Sequence, residues 1–184
     1  MSKRIVLLAS GSGSLASAIF QRVPLSNIVG VISDKDAPVL ERAREVGVTD
    51  HFLPLDGDRN RWNEELFALV ESLAPDLVVS VGFMRILEER FVTHFKVINT
   101  HPALLPAFPG AHAVRDALAA GVSETGTTVH WVDKGVDTGP VIKQVAIPVL
   151  PGDTEDSLHE RIKVVERELI VETIYDFLES KVEE

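Results

Sequence analysis

A short apolar run in the second half of the chain ends at an amide, an imidazole and a proline. Residues 97–102 read Val-Ile-Asn-Thr-His-Pro. If this run is a strand, the alternation of side chains puts Asn99 and His101 on one face and Thr100 on the other. An amide and an imidazole can together hold a developing oxyanion, and the imidazole can also move a proton. The pattern therefore suits acyl transfer, although an ordinary strand end with two satisfied polar residues would read the same way.

A carboxylate suited to the same chemistry lies later in the chain. Asp137 sits in the glycine-rich loop 133–139, between two β-rich runs. From there it could reach His101 and favour the protonated imidazole, because an opposite charge stabilises the cation. The alternative is a turn aspartate that hydrogen-bonds its own backbone. His130 lies inside the first of the two runs, a pattern more typical of a satisfied strand residue than of a catalyst.

The elements that would position these side chains alternate along the chain. Hydrophobic patterns predict strands at 5–9, 27–33, 48–53, 77–81 and 97–101, and helices at 15–22, 38–46, 60–73 and, at least in part, 83–91. This order predicts an α/β fold with an open, mostly parallel sheet and helices on both faces. Ligands in such sheets bind beyond the carboxyl ends of the strands.

The chain changes character after residue 101. A proline-rich loop at 102–112 precedes a helix pattern at 113–120. Two β-rich runs, 126–132 and 141–149, are interpreted as antiparallel strands at the sheet edge. A last helix begins at Thr154, and the acidic tail 179–184 is expected to fray.

A glycine turn follows the first strand pattern. Residues 11–16 fit G-x-G-x-x-A, and Asp34 closes the second strand roughly where a ribose-binding acid would stand. A dinucleotide site is one interpretation, and a tight turn without a ligand is another. In a third interpretation, serines and backbone N–H groups at a helix N-terminus form a nest for one phosphate monoester. No Lys follows the second glycine, so this is not a Walker loop.

Segment 82–87, Gly-Phe-Met-Arg-Ile-Leu, ends the fourth strand pattern. Gly82 permits close backbone approach, and the turn could hydrogen-bond a flat heterocycle. Three aliphatic side chains would line that slot: Met84, Ile86 and Leu87. The alternative is ordinary core packing of the apolar side chains, with Arg85 in water.

Composition narrows the class of protein. The 184 residues are 45% hydrophobic and contain no Ser- or Gly-rich linker, which favours a single globular domain. Cysteine is absent, which excludes thiol nucleophiles, disulfides and cysteine-ligated zinc and gives a mild preference for the cytoplasm. A metal site of His101, His112 and Asp137 would lack any ligand-motif spacing, so no metal is expected.

Charge and hydropathy limit the partners. A net charge of −10 argues against broad contact with a phosphate backbone, so nucleic acid is not an expected partner. No segment approaches the roughly 18 apolar residues that a membrane span needs. A small anionic ligand in a local pocket is compatible with both observations.

Taken together and in this order, the motifs resemble the folate-dependent glycinamide ribonucleotide formyltransferases of purine synthesis. The resemblance covers nearly the whole chain and is carried by segments 10–14, 82–87, 99–110 and 137–140. Segment 99–110 is highly specific for formyltransferases that use 10-formyltetrahydrofolate. The resemblance implies one Rossmann-like formyltransferase domain over 1–184, with a phosphate-binding half at 1–100 and a folate-binding, catalytic half at 101–184.

The resemblance also implies a role for each site residue. The catalytic group is Asn99, His101 and Asp137, acting by direct attack of the amine on the formyl carbon. The ribonucleotide is bound by Gly11, Ser12, Gly13, Ser14, Gly82, Pro102 and Glu166, the last contacting the glycinamide amino group. The co-substrate, 10-formyltetrahydrofolate, is bound by Met84, Arg85, Ile86, Leu87, His130 and Gly139.

One departure and two alternatives accompany this interpretation. Many family members carry Asn where this chain has Leu15, beside the phosphate loop. A formyltetrahydrofolate hydrolase would share the catalytic group, but it usually has an N-terminal regulatory domain. A Rossmann-like nucleotide-binding module would need only the glycine turn and Asp34, and would leave the catalytic group without a joint role. The expected partners are small molecules only, bound by a cytoplasmic monomer or homodimer.

Overall fold

Five apolar residues without exposed surface form the central strand of the first part of the chain. This strand, β1, pairs in parallel with the second and fourth strands, and the second pairs in parallel with the third. The strands are β1 (Ile5–Ala9), β2 (Ile28–Ser33), β3 (Asp50–Phe52) and β4 (Leu77–Ser80). Their order is β3-β2-β1-β4. A strand that is apolar on both faces needs cover on both, as in the centre of a parallel sheet.

This computed structural model describes residues 2–179. It divides into two compact units, Met1–Ile98 and Asn99–Glu184. The predicted fraying of the acidic tail falls almost wholly outside the described residues. Within the described residues, no helix has the length and apolar composition needed to cross a membrane.

Two of the four α-helices of the first unit begin at residues that favour a helix start. The helices are α1 (Ser14–Arg22), α2 (Pro38–Glu45), α3 (Arg59–Leu73) and α4 (Glu89–His94), with a short 3-10 turn at Leu25–Asn27. Pro38 occupies the first turn of α2, where its missing N–H costs nothing. The Asp58 carboxylate caps α3 by accepting from the amides of Asn60 and Arg61.

The prediction of helix over part of 83–91 is correct only at its end. Helix α4 starts at Glu89, and the residues from Phe83 to Glu88 are irregular. Gly82 adopts a φ of 74°, a left-handed conformation that turns the chain away from a helical path. The amide of Met84 donates to the Ser10 hydroxyl, 2.9 Å away, so it does not take part in a helical ladder.

The second unit contains three strands and two helices. They are β5 (Val97–His101), which begins in the first unit, α5 (Ala113–Ala119), β6 (Glu124–Trp131), β7 (Val141–Pro148) and α6 (Glu155–Leu178). The strand order is β5-β6-β7, and β6 pairs with β7 in the predicted antiparallel direction. Thr154 and Ser157 form a capping box at the start of α6. The prediction of a mostly parallel α/β fold with late antiparallel strands is confirmed.

The core of the second unit lies between α5, β7 and the first half of α6. Val114, Ile147, Leu158 and Ile162 form a buried cluster there. Leu158 has no exposed surface, whereas Val164, six residues further along α6, is 55% exposed. The same helix therefore offers a buried and an exposed aliphatic side chain for comparison.

Replacing Leu158 by Ala should lower the free energy of unfolding by about 2–5 kcal/mol, because burial is lost and a cavity remains. Val164→Ala should change it by no more than about 0.5 kcal/mol. Urea unfolding followed by circular dichroism measures both. Equal effects of the two substitutions would contradict the described packing of α6.

Candidate active site

His101 lies at the end of β5 with both ring nitrogens facing acceptors. Its Nε2 is 2.8 Å from the carbonyl oxygen of Phe108, and its Nδ1 is 3.3 Å from Oδ2 of Asp137. A neutral imidazole has one N–H and would turn a lone pair towards one of these acceptors. Only the imidazolium donates to both. The ring is buried, so water does not readily replace either partner.

Asp137 is the acceptor that joins this group. Its Oδ2 also accepts from the amide of Gly110 at 2.8 Å, and its Oδ1 lies 3.5 Å from Nε2 of His130. Burial opposes ionisation of the carboxyl. The hydrogen bonds from His130 and Gly110, together with the charges of His101 and His130, outweigh burial and hold the pKa of Asp137 below its usual range. Asp137 is therefore an ionised, hydrogen-bonded carboxylate.

A second aspartate in the same loop explains how Asp137 can point at the histidines. Asp133 accepts from the amide of Gly135 at 2.9 Å and from the hydroxyl of Thr138 at 2.6 Å. It is thus the aspartate that folds the turn onto itself. Asp137 adopts a φ of 54°, and its carboxylate reaches residues outside the loop. The alternative interpretation, a turn aspartate at position 137, is wrong.

His130 connects Asn99 to Asp137. Its Nδ1 donates to the carbonyl of Trp131 at 2.8 Å, because a carbonyl oxygen can only accept. Its Nε2 lies 3.5 Å from Nδ2 of Asn99 and 3.5 Å from Oδ1 of Asp137. The neutral ring can accept from Asn99, and the protonated ring can donate to Asp137. The pairing of β6 with β7 changes register at this point: Val129 pairs with Lys143 and His130 with Val141, so the extra residue lies on β7.

The loop after β5 is held by a hydroxyl that the sequence did not single out. Thr128 on β6 has no exposed surface. Its Oγ1 donates to the carbonyl of Ala103 at 2.6 Å and accepts from the amide of Leu105 at 3.1 Å. Gln144 donates to the same Oγ1 and to the carbonyl of Leu105. These bonds fix the path of the loop that supplies the carbonyl and amide to the site. Pro102 is half-buried at its start.

Glu166 on α6 is buried beside Thr100. Burial raises the pKa of the Glu166 carboxyl, although a hydrogen bond with Thr100 and the charges of Lys163 and Arg167 act in the opposite direction. Because side chains alternate along β5, Thr100 lies on the strand face opposite to Asn99 and His101. The contact of Glu166 with β5 is thus on the Thr100 side of the strand.

Gly139 is buried, and a Cβ there would meet the carbonyl of Trp131.

The glycine turn of the first unit leads into α1. Gly13 precedes the helix with a φ of 76°, and a Cβ at this position would lie 2.8 Å from Cβ of Val39. Three residues around it are exposed: Gly11, Ser12 and Ser14. The first turn of α1 contains no acidic residue, so its free N–H groups and the helix dipole favour an anion. Leu15 is half-buried in that turn.

Asp34 does not stand where a ribose could reach it. Its side chain has no exposed surface, and its two oxygens accept from the Ser10 hydroxyl at 2.5 Å and from Nε of Arg85 at 2.6 Å. A dinucleotide site needs this carboxylate to be open to the sugar. The dinucleotide interpretation is therefore not supported by the position of Asp34.

Segment 82–87 presents part of the expected slot. Met84 and Ile86 are 69% and 65% exposed, whereas Leu87 is buried in the core. Arg85 pairs with Asp34, so the expectation of this side chain in water is wrong. Arg59 contacts the carbonyl of Ile86 and stacks over the ring of Trp62 at 4.8 Å. The exposed Met84 and Ile86 thus lie on either side of Arg85, whose side chain is held by Asp34.

The described part of the chain has no group of side chains suited to bind a metal ion. No three His, Asp or Glu side chains between residues 2 and 179 are grouped to hold an ion. The group around His101 instead consists of two imidazoles, a carboxylate and an amide. Such a group can transfer protons and stabilise a developing negative charge.

The fold and this site define a class of enzymes that transfer one-carbon acyl groups. The family model described as formyl transferase matches residues 3–174, and the chain belongs to this family. A similar solved structure is glycinamide ribonucleotide transformylase 1 from Symbiobacterium toebii. It superposes with a TM-score of 0.93 at 40% sequence identity, covering 99% of this chain and 91% of that one.

Two relatives narrow the comparison within the family. The phosphoribosylglycinamide formyltransferase of Mycobacterium tuberculosis (strain H37Rv) is 47% identical over 178 residues, which are 93% of this chain and 83% of that protein. The enzyme of the same name from Escherichia coli (strain K12) is 43% identical over 171 residues, 88% of this chain and 81% of its own length. This chain is thus a formyltransferase.

Asp137→Asn tests the ionised carboxylate by its pH dependence. The pKa of Asp137 in the folded protein lies below the value of about 3.9 for an unfolded aspartate, so its ionised contacts stabilise the fold above that pH. This stabilisation is lost as the pH falls through the folded value. The stability advantage of the unsubstituted protein over the Asn variant should therefore be constant above about pH 5 and shrink as the pH falls from there to below the unfolded value of about 3.9.

Urea unfolding at each pH measures this difference. Asp116→Asn, at a partly exposed position on α5, is the control for the general loss of stability in acid. A difference between the unsubstituted protein and Asp137→Asn that stays constant as the pH falls from about 5 to below about 3.9 would contradict the ionised contact.

Proposed function

We propose that this formyltransferase moves the formyl group of 10-formyltetrahydrofolate to the amine of glycinamide ribonucleotide, a step of de novo purine biosynthesis. The observation that carries the proposal is the position of His101, with one ring nitrogen facing Asp137, the other facing the Phe108 carbonyl, and Asn99 on the same strand face. The similarity to phosphoribosylglycinamide formyltransferases supports the choice of substrates.

The reaction proceeds by direct attack. The amine of the ribonucleotide adds to the formyl carbon, giving a tetrahedral intermediate whose oxygen carries the negative charge. The Asn99 amide donates to that oxygen, and the positive charge of His101 stabilises it. The bond from carbon to the folate nitrogen then breaks, so formyl amide and tetrahydrofolate are formed. No acyl-enzyme is needed.

The proton from the attacking amine must reach the folate nitrogen. Asp137, ionised and bound to His101, accepts it and returns it to the leaving nitrogen, with water as the carrier. His130, whose Nε2 lies 3.5 Å from Asp137, lines the folate side together with Gly139.

The remaining residues bind the substrates. Exposed backbone N–H groups at the start of α1 hold the phosphate, through Gly11, Ser12, Gly13 and Ser14. The pterin ring lies against Met84, Arg85, Ile86 and Leu87. Gly82 and Pro102 border the ribonucleotide, and Glu166 contacts its glycinamide end. We further propose a cytoplasmic enzyme of one domain, monomeric or homodimeric, with small molecules as its only partners.

A direct assay tests this function. Purified protein is supplied with glycinamide ribonucleotide and 10-formyltetrahydrofolate, and loss of the formyl group from the folate is followed spectroscopically. Turnover that requires the ribonucleotide supports the proposal. Equal turnover without the ribonucleotide would identify a hydrolase instead, and no turnover under either condition would refute the formyl donor.

Substitutions in the catalytic group should slow the chemical step. Asn99→Ala, His101→Ala and Asp137→Ala should each lower kcat by about 100-fold or more, the scale of losing an oxyanion donor or an acid–base group. Asp116→Ala, on the surface of α5, should leave kcat unchanged. Steady-state kinetics with both substrates saturating measures the effect, and a near-normal kcat removes that residue from the mechanism.

Gly13→Val should act on one substrate only. The new side chain would collide with Val39. Position 13 also has a φ of 76°, a backbone conformation that valine disfavours. The phosphate nest would be distorted, so the KM for the ribonucleotide should rise by about tenfold or more. The KM for the folate should change by less than about threefold. Equal increases in both KM values would place the phosphate elsewhere.

A further inference from the structure

Asp34 is a buried carboxylate to which the proposed mechanism gives no role. It follows β2 directly, and its side chain has no exposed surface. Both of its oxygens accept hydrogen bonds, one from Ser10 and one from Arg85. These two donors belong to different segments of the first unit. Asp34 thus joins the residue before the glycine turn to the middle of segment 82–87.

Ser10 is hydrogen-bonded both to Asp34 and to segment 82–87. Its backbone N–H donates to the carbonyl of Gly82 at 3.1 Å, and its hydroxyl accepts from the amide of Met84 at 2.9 Å while donating to Asp34. The start of the glycine turn and the start of segment 82–87 are therefore bonded to each other twice, and Asp34 orients the hydroxyl that makes one of those bonds.

Arg85 extends the same connection along segment 82–87. Its side chain is 31% exposed, but its Nε lies 2.6 Å from the buried oxygen of Asp34. The exposed Met84 and Ile86 lie on either side of this anchored residue. Removing Asp34 would take away the buried acceptor of Arg85, so the side chain would no longer be held against the turn.

We propose that Asp34 is a positioning residue that holds the glycine turn 11–14 and segment 82–87 in their ligand-binding conformations, acting through Ser10 and Arg85. The inference rests on the proposed function, in which the turn binds the ribonucleotide phosphate and the segment binds the pterin. Asp34 touches neither substrate. One substitution at position 34 should therefore weaken the binding of two chemically different ligands.

Hydrogen-bond geometry, rather than charge, is what Asp34 supplies. An asparagine could present its Oδ1 to Arg85 and donate from Nδ2 to the Ser10 hydroxyl. That hydroxyl oxygen has two lone pairs, so it could still accept from Met84 as well. Asp34→Asn should keep both connections. Asp34→Ala removes both and leaves the buried Ser10 hydroxyl and the Arg85 N–H without these acceptors.

Calorimetric titration with glycinamide ribonucleotide and, separately, with tetrahydrofolate tests the proposal. Asp34→Ala should raise both dissociation constants by about tenfold, while Asp34→Asn should stay within about threefold of the unsubstituted protein. In steady-state assays of Asp34→Ala, both KM values should rise and kcat should fall by less than about threefold.

Asp153→Ala is the matched control. Asp153 is also a buried carboxylate paired with an arginine, 2.6 Å from Arg161, but it lies at the start of α6. Its replacement should lower the temperature of unfolding without changing either dissociation constant. If Asp34→Ala does not fold, Ser10→Ala takes its place, since it removes the hydroxyl bridge and leaves the carboxylate.

Three results would overturn the inference. Weakening of only one ligand by Asp34→Ala would show that the two segments are independent. Equal damage from Asn and Ala would show that charge, not geometry, matters. Unchanged hydrogen exchange at the Met84 amide of ligand-free Asp34→Ala would show that the bridge does not depend on Asp34. This last measurement needs no substrate, so it decides the inference even if the unsubstituted protein fails the turnover assay and the proposed function is refuted.

Discussion

The hydrogen bonding of one carboxylate organises the second unit. Asp137 faces the Gly110 amide, the His101 ring and the His130 ring, and it does so from a left-handed backbone conformation that aspartate tolerates better than most residues. Each of these partners belongs to a different part of the chain. A change at Asp137 would therefore affect the loop after β5, the end of β5 and the end of β6 together.

The first unit uses a second buried carboxylate in a comparable way. Asp34 follows a parallel strand, as expected for a polar residue at the carboxyl edge of a sheet, but its oxygens face inward to Ser10 and Arg85. In both units the side chains that can face a ligand are carried by loops whose backbone is held by a buried acid. Such support keeps a loop in one conformation without secondary structure of its own.

Strand periodicity and turn residues were sufficient to predict most elements and the polar end of β5. They failed where a conformation depends on contacts distant in sequence. The irregular stretch from Phe83 to Glu88 has helical composition but takes its path from Ser10 and Asp34. The assignment of the turn aspartate to position 133 rather than 137 is likewise decided by three-dimensional partners.

The hydrogen bonds of His101 to protein acceptors imply that Asn99 and His101 stabilise the oxyanion in different ways, one by a direct hydrogen bond and the other by charge. Both of its N–H groups are directed at protein acceptors, so a substrate oxygen can gain a direct bond from His101 only by displacing Phe108 or Asp137. Asn99 differs, because its amide carries two N–H groups and its Nδ2 lies at the limit of bonding distance, 3.5 Å, from His130. In the proposed reaction Asn99 therefore supplies the directional hydrogen bond, and His101 supplies a fixed charge at short range. A buried charge acts strongly without contact, because little water screens it.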